Sequence, residues 1–322
     1  PKYGPNIMND RFVKRACRGL AVSVLPAVFL SIGVAAHAEG TQPNSKSEYA
    51  EKIGASERVN YSGKLRMLSQ RVVATSCNYV AGIDTDSSGP AMRAAMDEFN
   101  LIVDALEFGN GDLGINGEEK RKKTIRRIGM LREEWAPVAS GLEAVAAGDK
   151  TPEHLTTIAN ESAPLLDMAK LLVSDLSAQY SDPNAMTQSF AMLVDISGRQ
   201  RMLTQRMSKN VCLAASGINA DAAKAELAAT AQLFETSLMA LHSGMMEAGI
   251  APPPNDEINE GLKVVVSDWQ ALKPSVEAVL GGANLSAEQR AQVFNGMNAM
   301  TGDMNKVVGL YSKASKFDDT GS

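Results

Sequence analysis

Ser62-Gly63-Lys64-Leu65-Arg66-Met67-Leu68-Ser69-Gln70-Arg71 returns 135 residues later as Ser197-Gly198-Arg199-Gln200-Arg201-Met202-Leu203-Thr204-Gln205-Arg206. The correspondence continues beyond the motif, with Cys77 on Cys212, Gly82-Ile83 on Gly217-Ile218, Phe99 on Phe234, Leu106 on Leu241 and Gly114-Ile115 on Gly249-Ile250. After one residue of slippage Trp135 falls on Trp269 and Glu143 on Glu277. Solenoid units run to about 20–50 residues, so a period this long is a duplicated domain. Any site on the first copy has a twin on the second.

The front of the chain reads differently. Arg11, Lys14, Arg15 and Arg18 precede an apolar stretch, Leu20 to Val34, and a small-residue site, Ala36-His37-Ala38. That layout predicts a secretory signal peptide within residues 1–38; its alternative is an uncleaved membrane anchor. The apolar run is shorter than the ~20 residues a helix needs to cross a bilayer. The expected product begins near Glu39, outside the cytoplasm, most simply in a bacterial periplasm, with no later segment apolar enough to span. Without residues 1–38 the chain has 27 basic and 36 acidic residues, a net charge of −9. Such a surface argues against nucleic acid or anionic membrane as partner.

Strand signals are nearly absent, and Ala, Leu, Met, Glu and Lys recur at helical spacing. The pattern predicts an all-α protein of two tandem antiparallel four-helix bundles, spanning 46–180 and 184–316. Expected helices are 46–81, 90–108, 117–147 and 152–180, then 184–216, 220–247, 255–280 and 286–315. Turn chemistry marks the breaks at Gly109–Gly114 and Pro252–Pro254, and Thr151-Pro152 and Ser286 open the fourth helices. Asp182-Pro183 is read as the start of the second copy's first helix, and Asp318–Ser322 as a disordered end. Pro137, Pro164 and Pro274 are expected to kink their helices.

On the first helix Gly63, Arg66, Gln70, Val73, Cys77 and Val80 form a seam at 3-4-3-4-3 spacing, repeated by Gly198, Arg201, Gln205, Ser208, Cys212 and Ala215. Leu65, Leu68 and Val72, with Leu203 and Met207, suit the bundles' own cores. In an up-down-up-down arrangement with a short linker, the two first helices can run parallel as a pseudo-two-fold pair. Packed through the seam, they would set Arg66 against Arg201 and Cys77 against Cys212. Two cysteines in an oxidising compartment invite a disulfide, with free buried thiols or a redox pair as alternatives. Two guanidiniums meeting in a buried seam call for an anion, and their planar forks suit a small planar oxyanion. The alternative for the arginines is an inter-helix salt bridge with no ligand.

The second copy's Ser-Gly-Arg-Gln-Arg-Met-Leu-Thr-Gln-Arg-Met, from Ser197, resembles the N-terminal sensor domain of PilJ-type type IV pilus chemoreceptors. The first copy's Leu65–Arg71 is similar to the periplasmic box of nitrate/nitrite sensor histidine kinases. The resemblance implies helical bundles and, in the nitrate sensors, a ligand held between first helices by one arginine from each. Carried over by position, that role falls to Arg66 and Arg201, with backbone near Gly63 and Gly198. Arg71 and Arg206, with Gln70 and Gln205, are read as structural or secondary, the arginines paired to carboxylates inside the bundles. The implied ligand is a small inorganic anion, nitrate or nitrite. The sequence is read as departing from those receptors in lacking their second span and their kinase or methyl-accepting output, so a membrane receptor, sensor kinase or transporter is the expected partner. The competing class is a ligand-free adaptor for a chemoreceptor, sensor kinase or pilus system.

Other features carry less. Asp84–Gly89 imitates the start of a calcium loop, but its twelfth position is Ala95, so it is read as a turn. Scattered Met suits core filling. His154 and His242 lack metal-ligand spacing, no cofactor motif is present, and no nucleophile–base set points to an enzyme. The basic run Glu118–Arg127 and its more acidic counterpart, Asn255–Lys263, are read as solvated faces or as a contact surface.

Overall fold

The computed structural model describes residues 53–180 and 188–317. The expected signal peptide, the Asp182-Pro183 helix start and the tail 318–322 lie outside the described residues. The first copy contributes α1 (Ala55–Val80), α2 (Thr85–Phe108), α3 (Lys122–Ala146), α4 (Pro152–Asn160) and α5 (Ser162–Tyr180). The second contributes α6 (Gln188–Ala215), α7 (Ala220–Ser243), α8 (Asp256–Leu280) and α9 (Ala287–Phe317). Among the described residues there are no strands, only isolated bridges Asn110–Ile115 and Met245–Ile250 at equivalent loops. No described helix is long and apolar enough to cross a membrane.

In each copy the first helix packs against the second and the fourth, and the third closes the bundle. α1 packs on α6 as extensively as either packs on the neighbours in its own bundle. Leu65, Leu68 and Val72 are fully buried, as are Met207 and, nearly so, Leu203. Phe99 stacks on Trp135 at 4.0 Å, and Phe234 meets Trp269 edge-on at 5.2 Å. The indole of Trp135 donates to Asn100. Its twin in Trp269 finds no hydrogen-bond partner among the described residues, because the position of Asn100 is taken by Glu235, which binds Lys273.

Several boundaries differ from the sequence pattern. The described part of α1 begins at Ala55, after Gly54 at φ 68°, where a Cβ would lie 1.8 Å from the Gly114 carbonyl oxygen; the expected start at 46 lies outside the described residues. α2 begins at Thr85, so the segment read as a turn, Asp84–Gly89, is mostly helix. Asp84 is left-handed at φ 40°, and its carbonyl accepts from Ser87 and Ser88. Pro164 does more than kink its helix: the fourth helix of the first copy breaks at Glu161. Proline has no N–H to offer the preceding turn. The second copy has Ala299 there and runs unbroken, and Pro137 and Pro274 sit inside continuous helices. Ser286 and Gln289 cap α9 reciprocally, a capping box.

The two copies clasp each other with the same parts. Asn295 on α9 donates to Asp84 in the first copy's α1–α2 turn. The equivalent Asn219, also left-handed, donates to Asn160 at the end of α4. Asp84 and Asn219 are twins, as are Asn160 and Asn295, so the contact obeys an internal two-fold relation.

Candidate anion site between the first helices

α1 and α6 run parallel and in register, since equivalent residues meet along them. At one end Cys77 and Cys212 form a disulfide with Cα atoms 6.1 Å apart. Three turns earlier, Arg66 and Arg201 converge. A Cβ built on Gly198 would lie 3.6 Å from Nη2 of Arg201 and 4.0 Å from Nη2 of Arg66. Both guanidiniums therefore reach the same small space, and it exists because residue 198 has no side chain. Gly63 offers the mirror space, 3.6 Å from Nη2 of Arg66. Each arginine also points Nε at the carbonyl of its own glycine, Arg66 to Gly63 at 3.5 Å and Arg201 to Gly198 at 3.4 Å.

The two charges are not neutralised alike. Arg66 reaches Asp195 Oδ1 at 3.5 Å, while the other oxygen of Asp195 is held by Arg199 at 2.5 Å. Arg201 is only 4% exposed. Its Nη1 donates to Asn305 Oδ1 at 2.7 Å, and no carboxylate among the described residues forms an ion pair with it. The twin of Asp195 is Asn60, so the first copy has no carboxylate to return the favour. Burial lowers the Arg66 guanidinium below its ordinary range, opposed by Asp195 and reinforced by Arg199. For Arg201 burial, reinforced by the Arg66 charge and only partly opposed by Glu98, pushes the value down to about 10. Glu98 itself is ion-paired to Lys64. The region thus gathers Lys64, Arg66, Arg199 and Arg201 against Asp195 and Glu98, an excess of positive charge within an acidic protein.

The flanking residues behave unequally. Arg206 pairs with Glu226, which also holds the buried Lys209 at 2.9 Å. Burial alone would raise Glu226; Lys209 and Arg206 outweigh it and hold the carboxyl down to about 2. Arg71 has no such pair, because the positions of Lys209 and Glu226 are Ala74 and Ala91 in the first copy. Burial lowers Arg71, with Glu98 as the opposing charge. Gln70 and Gln205 do not face across the seam as its spacing suggested. Gln70 turns to Ser162 on α5, and Gln205 to Asn298 and Thr301 on α9, tying each first helix to its own fourth. Lys209 reaches the same Ser162 at 3.3 Å, a polar link from α6 into the first bundle.

Asp195, Asn305 and Glu98 were not singled out from sequence. Comparing the copies flags Asp195, since a charge there stands opposite Asn60; Asn305 and Glu98 gave no signal. No group of three or more His, Cys, Asp or Glu that could hold a metal occurs among the described residues.

A search of curated proteins finds no match. The family model described as the type IV pili methyl-accepting chemotaxis transducer N-terminal domain matches twice, over residues 50–160 and 184–294. That family is one of transducer domains and not of catalysts. With more than half its length matched in two tandem copies, the chain belongs to the PilJ family.

Proposed function

We propose that this chain is a periplasmic sensor protein that binds a small planar oxyanion, nitrate or nitrite first, between the first helices of its two copies. Arg66 and Arg201 would supply the donors and Gly63 and Gly198 the room. The observation that carries the reading is Arg201: almost wholly buried, without an ion-paired carboxylate among the described residues, and sharing a space with a second guanidinium. A buried, unpaired cation is costly, and an anion accepting from both forks removes the cost. Asp195 offsets part of the charge, which favours a monovalent ligand over a divalent one. No catalytic step is assigned. The bound state would be presented to a membrane receptor, sensor kinase or transporter of a chemotaxis or pilus system. The basic, apolar and small-residue pattern of residues 11–38 supports export.

Asp195 also supports the second reading, a ligand-free adaptor in which internal carboxylates do the neutralising. Calorimetric titration of the purified protein with nitrate, nitrite, sulfate and chloride separates the two, with the Arg66→Ala/Arg201→Ala variant alongside. Saturable binding of a planar oxyanion, lost in the variant, is the expected result. Silence with every anion, from a protein of full helical content, would leave the adaptor.

A further inference from the structure

The groove between the third and fourth helices has been rebuilt in one copy. In the first copy ion pairs cross it and leave a smaller, polar space of about 280 Å³: Asp175 on α5 holds Lys123 at 2.6 Å and Arg127 at 3.0 Å. The twins of these three residues are Leu310, Glu257 and Gly261. The carboxylate has become an apolar side chain, one cation an acid, and the long arm of the arginine has gone. What is left between α8 and α9 is a groove of about 410 Å³ lined by Gly261, Val264, Val307 and Leu310, with Glu257 and the ion pair of Asp303 with Lys306 at its rim. Val264 is 48% exposed. Asp256 and Glu260, the latter paired to Lys263 at 2.7 Å, continue the rim along α8.

The first copy carries the complementary surface. The outer face of α3 presents Lys122, Ile125, Arg126, Gly129 and Met130, with Ile125 37% and Met130 38% exposed. Lys122 and Arg126, like Arg121 beside them, form no ion pair among the described residues. A Cβ on Gly129 would touch nothing within 4 Å, which leaves a flat place for another helix. The start of α3 also has no side-chain cap and no acid in its first turn. Cations there oppose the positive end of the helix dipole, whereas Asn255, Asp256 and Glu257 satisfy the same position in α8. The buried Glu119 carboxylate just before α3 accepts from the backbone N–H groups of Lys120 and Arg121, so the cations of the face itself stay unspent.

We infer that the α8–α9 groove of one molecule receives the basic, apolar start of α3 from a second copy of this chain. Ile125 and Met130 would enter the apolar floor while Lys122 and Arg126 meet Glu257, Glu260 and Asp256. The two surfaces differ and each molecule has one of each, so the contact is head-to-tail and does not close at two subunits.

Sedimentation velocity over a range of protein concentrations, from low to about 0.5 M sodium chloride, tests it. The wild-type chain associates beyond a dimer at low salt and dissociates as salt rises. Lys122→Glu/Arg126→Glu and Asp256→Lys/Glu260→Lys, all at exposed positions, each weaken association at least tenfold. Mixed together, the two variants associate beyond a dimer again, since native charges meet in one contact and the reversed charges in the other. Val264→Glu alone weakens association with the helix content unchanged. A wild-type chain that stays monomeric throughout, variants that associate as well as wild type, or a mixture that does not associate beyond a dimer would each overturn the proposal.

Discussion

Replacing Arg201 by Met should make the anion-free protein more stable and the anion-loaded protein less so. On folding, burial and the Arg66 charge push the guanidinium value well below its ordinary range, to about 10. At 1.36 kcal/mol per unit, the chain tolerates a cost of about 3 kcal/mol to keep this cation buried. The sign is that of a depressed base: the cost is present in full below about 10 and is relieved only as pH rises from there towards the ordinary arginine value. Met fills much of the same volume without charge. The substitution strips a donor from Asn305 Oδ1 and from the Gly198 carbonyl, at roughly 1 kcal/mol each. The net gain is about 1 kcal/mol, or roughly 2–4 °C in Tm. Nitrate at a hundred times its Kd adds about 2.7 kcal/mol to the wild type and nothing to the variant, so the order of stability inverts. Urea unfolding followed by circular dichroism, in a buffer of a bulky organic anion with and without nitrate, reads both effects. A variant that is less stable by 1 kcal/mol or more without nitrate, or that nitrate still stabilises, refutes the reasoning.

Gly198→Ala should raise stability by roughly 1 kcal/mol through helix propensity, since its methyl meets only ordinary contacts at 3.6 and 4.0 Å. The same methyl fills the space between the arginines, so nitrate affinity in calorimetry should fall at least tenfold. Cys77→Ser/Cys212→Ser releases a closure over 135 residues and should cost about 4–5 kcal/mol on the chain-entropy model, measured by urea unfolding of the oxidised wild type beside the variant. Glu226 is a depressed acid, so the stability it contributes is present above about 4.5 and lost as pH falls through about 2. Glu226→Gln should flatten stability over that window and cost about 3 kcal/mol at neutral pH by stranding Lys209; an acid-unfolding profile identical to wild type would refute the pairing.

The architecture was legible because duplication writes it twice. Periodicity, turn residues and the register of one motif against its copy suffice to pair α1 with α6, and with that pairing Cys77 meets Cys212 and Arg66 meets Arg201. What pairs with each arginine was not legible. Asp195 and Asn305 come from elsewhere on α6 and from α9, and their reach depends on helix rotation that spacing does not specify. Gln70 and Gln205 show the same limit: the 3-4 spacing places them on the seam, yet a neighbouring hydroxyl on the fourth helix draws them inwards. Arg71 and Arg206 share a motif position and differ because Ala74 and Ala91 replace Lys209 and Glu226.

The difference between Asp195 and Asn60 has a consequence for how such a site can be tuned. In an assembly of two identical chains, every substitution is made on both sides of the axis, and the charge around a ligand on that axis moves in steps of two. A single chain that holds both halves is free of that rule. One acid on one side shifts the balance by a single unit, leaving one arginine permanently open and the other shared. Fine adjustment of ligand charge, out of reach for a symmetric pair, becomes available to a duplicated one.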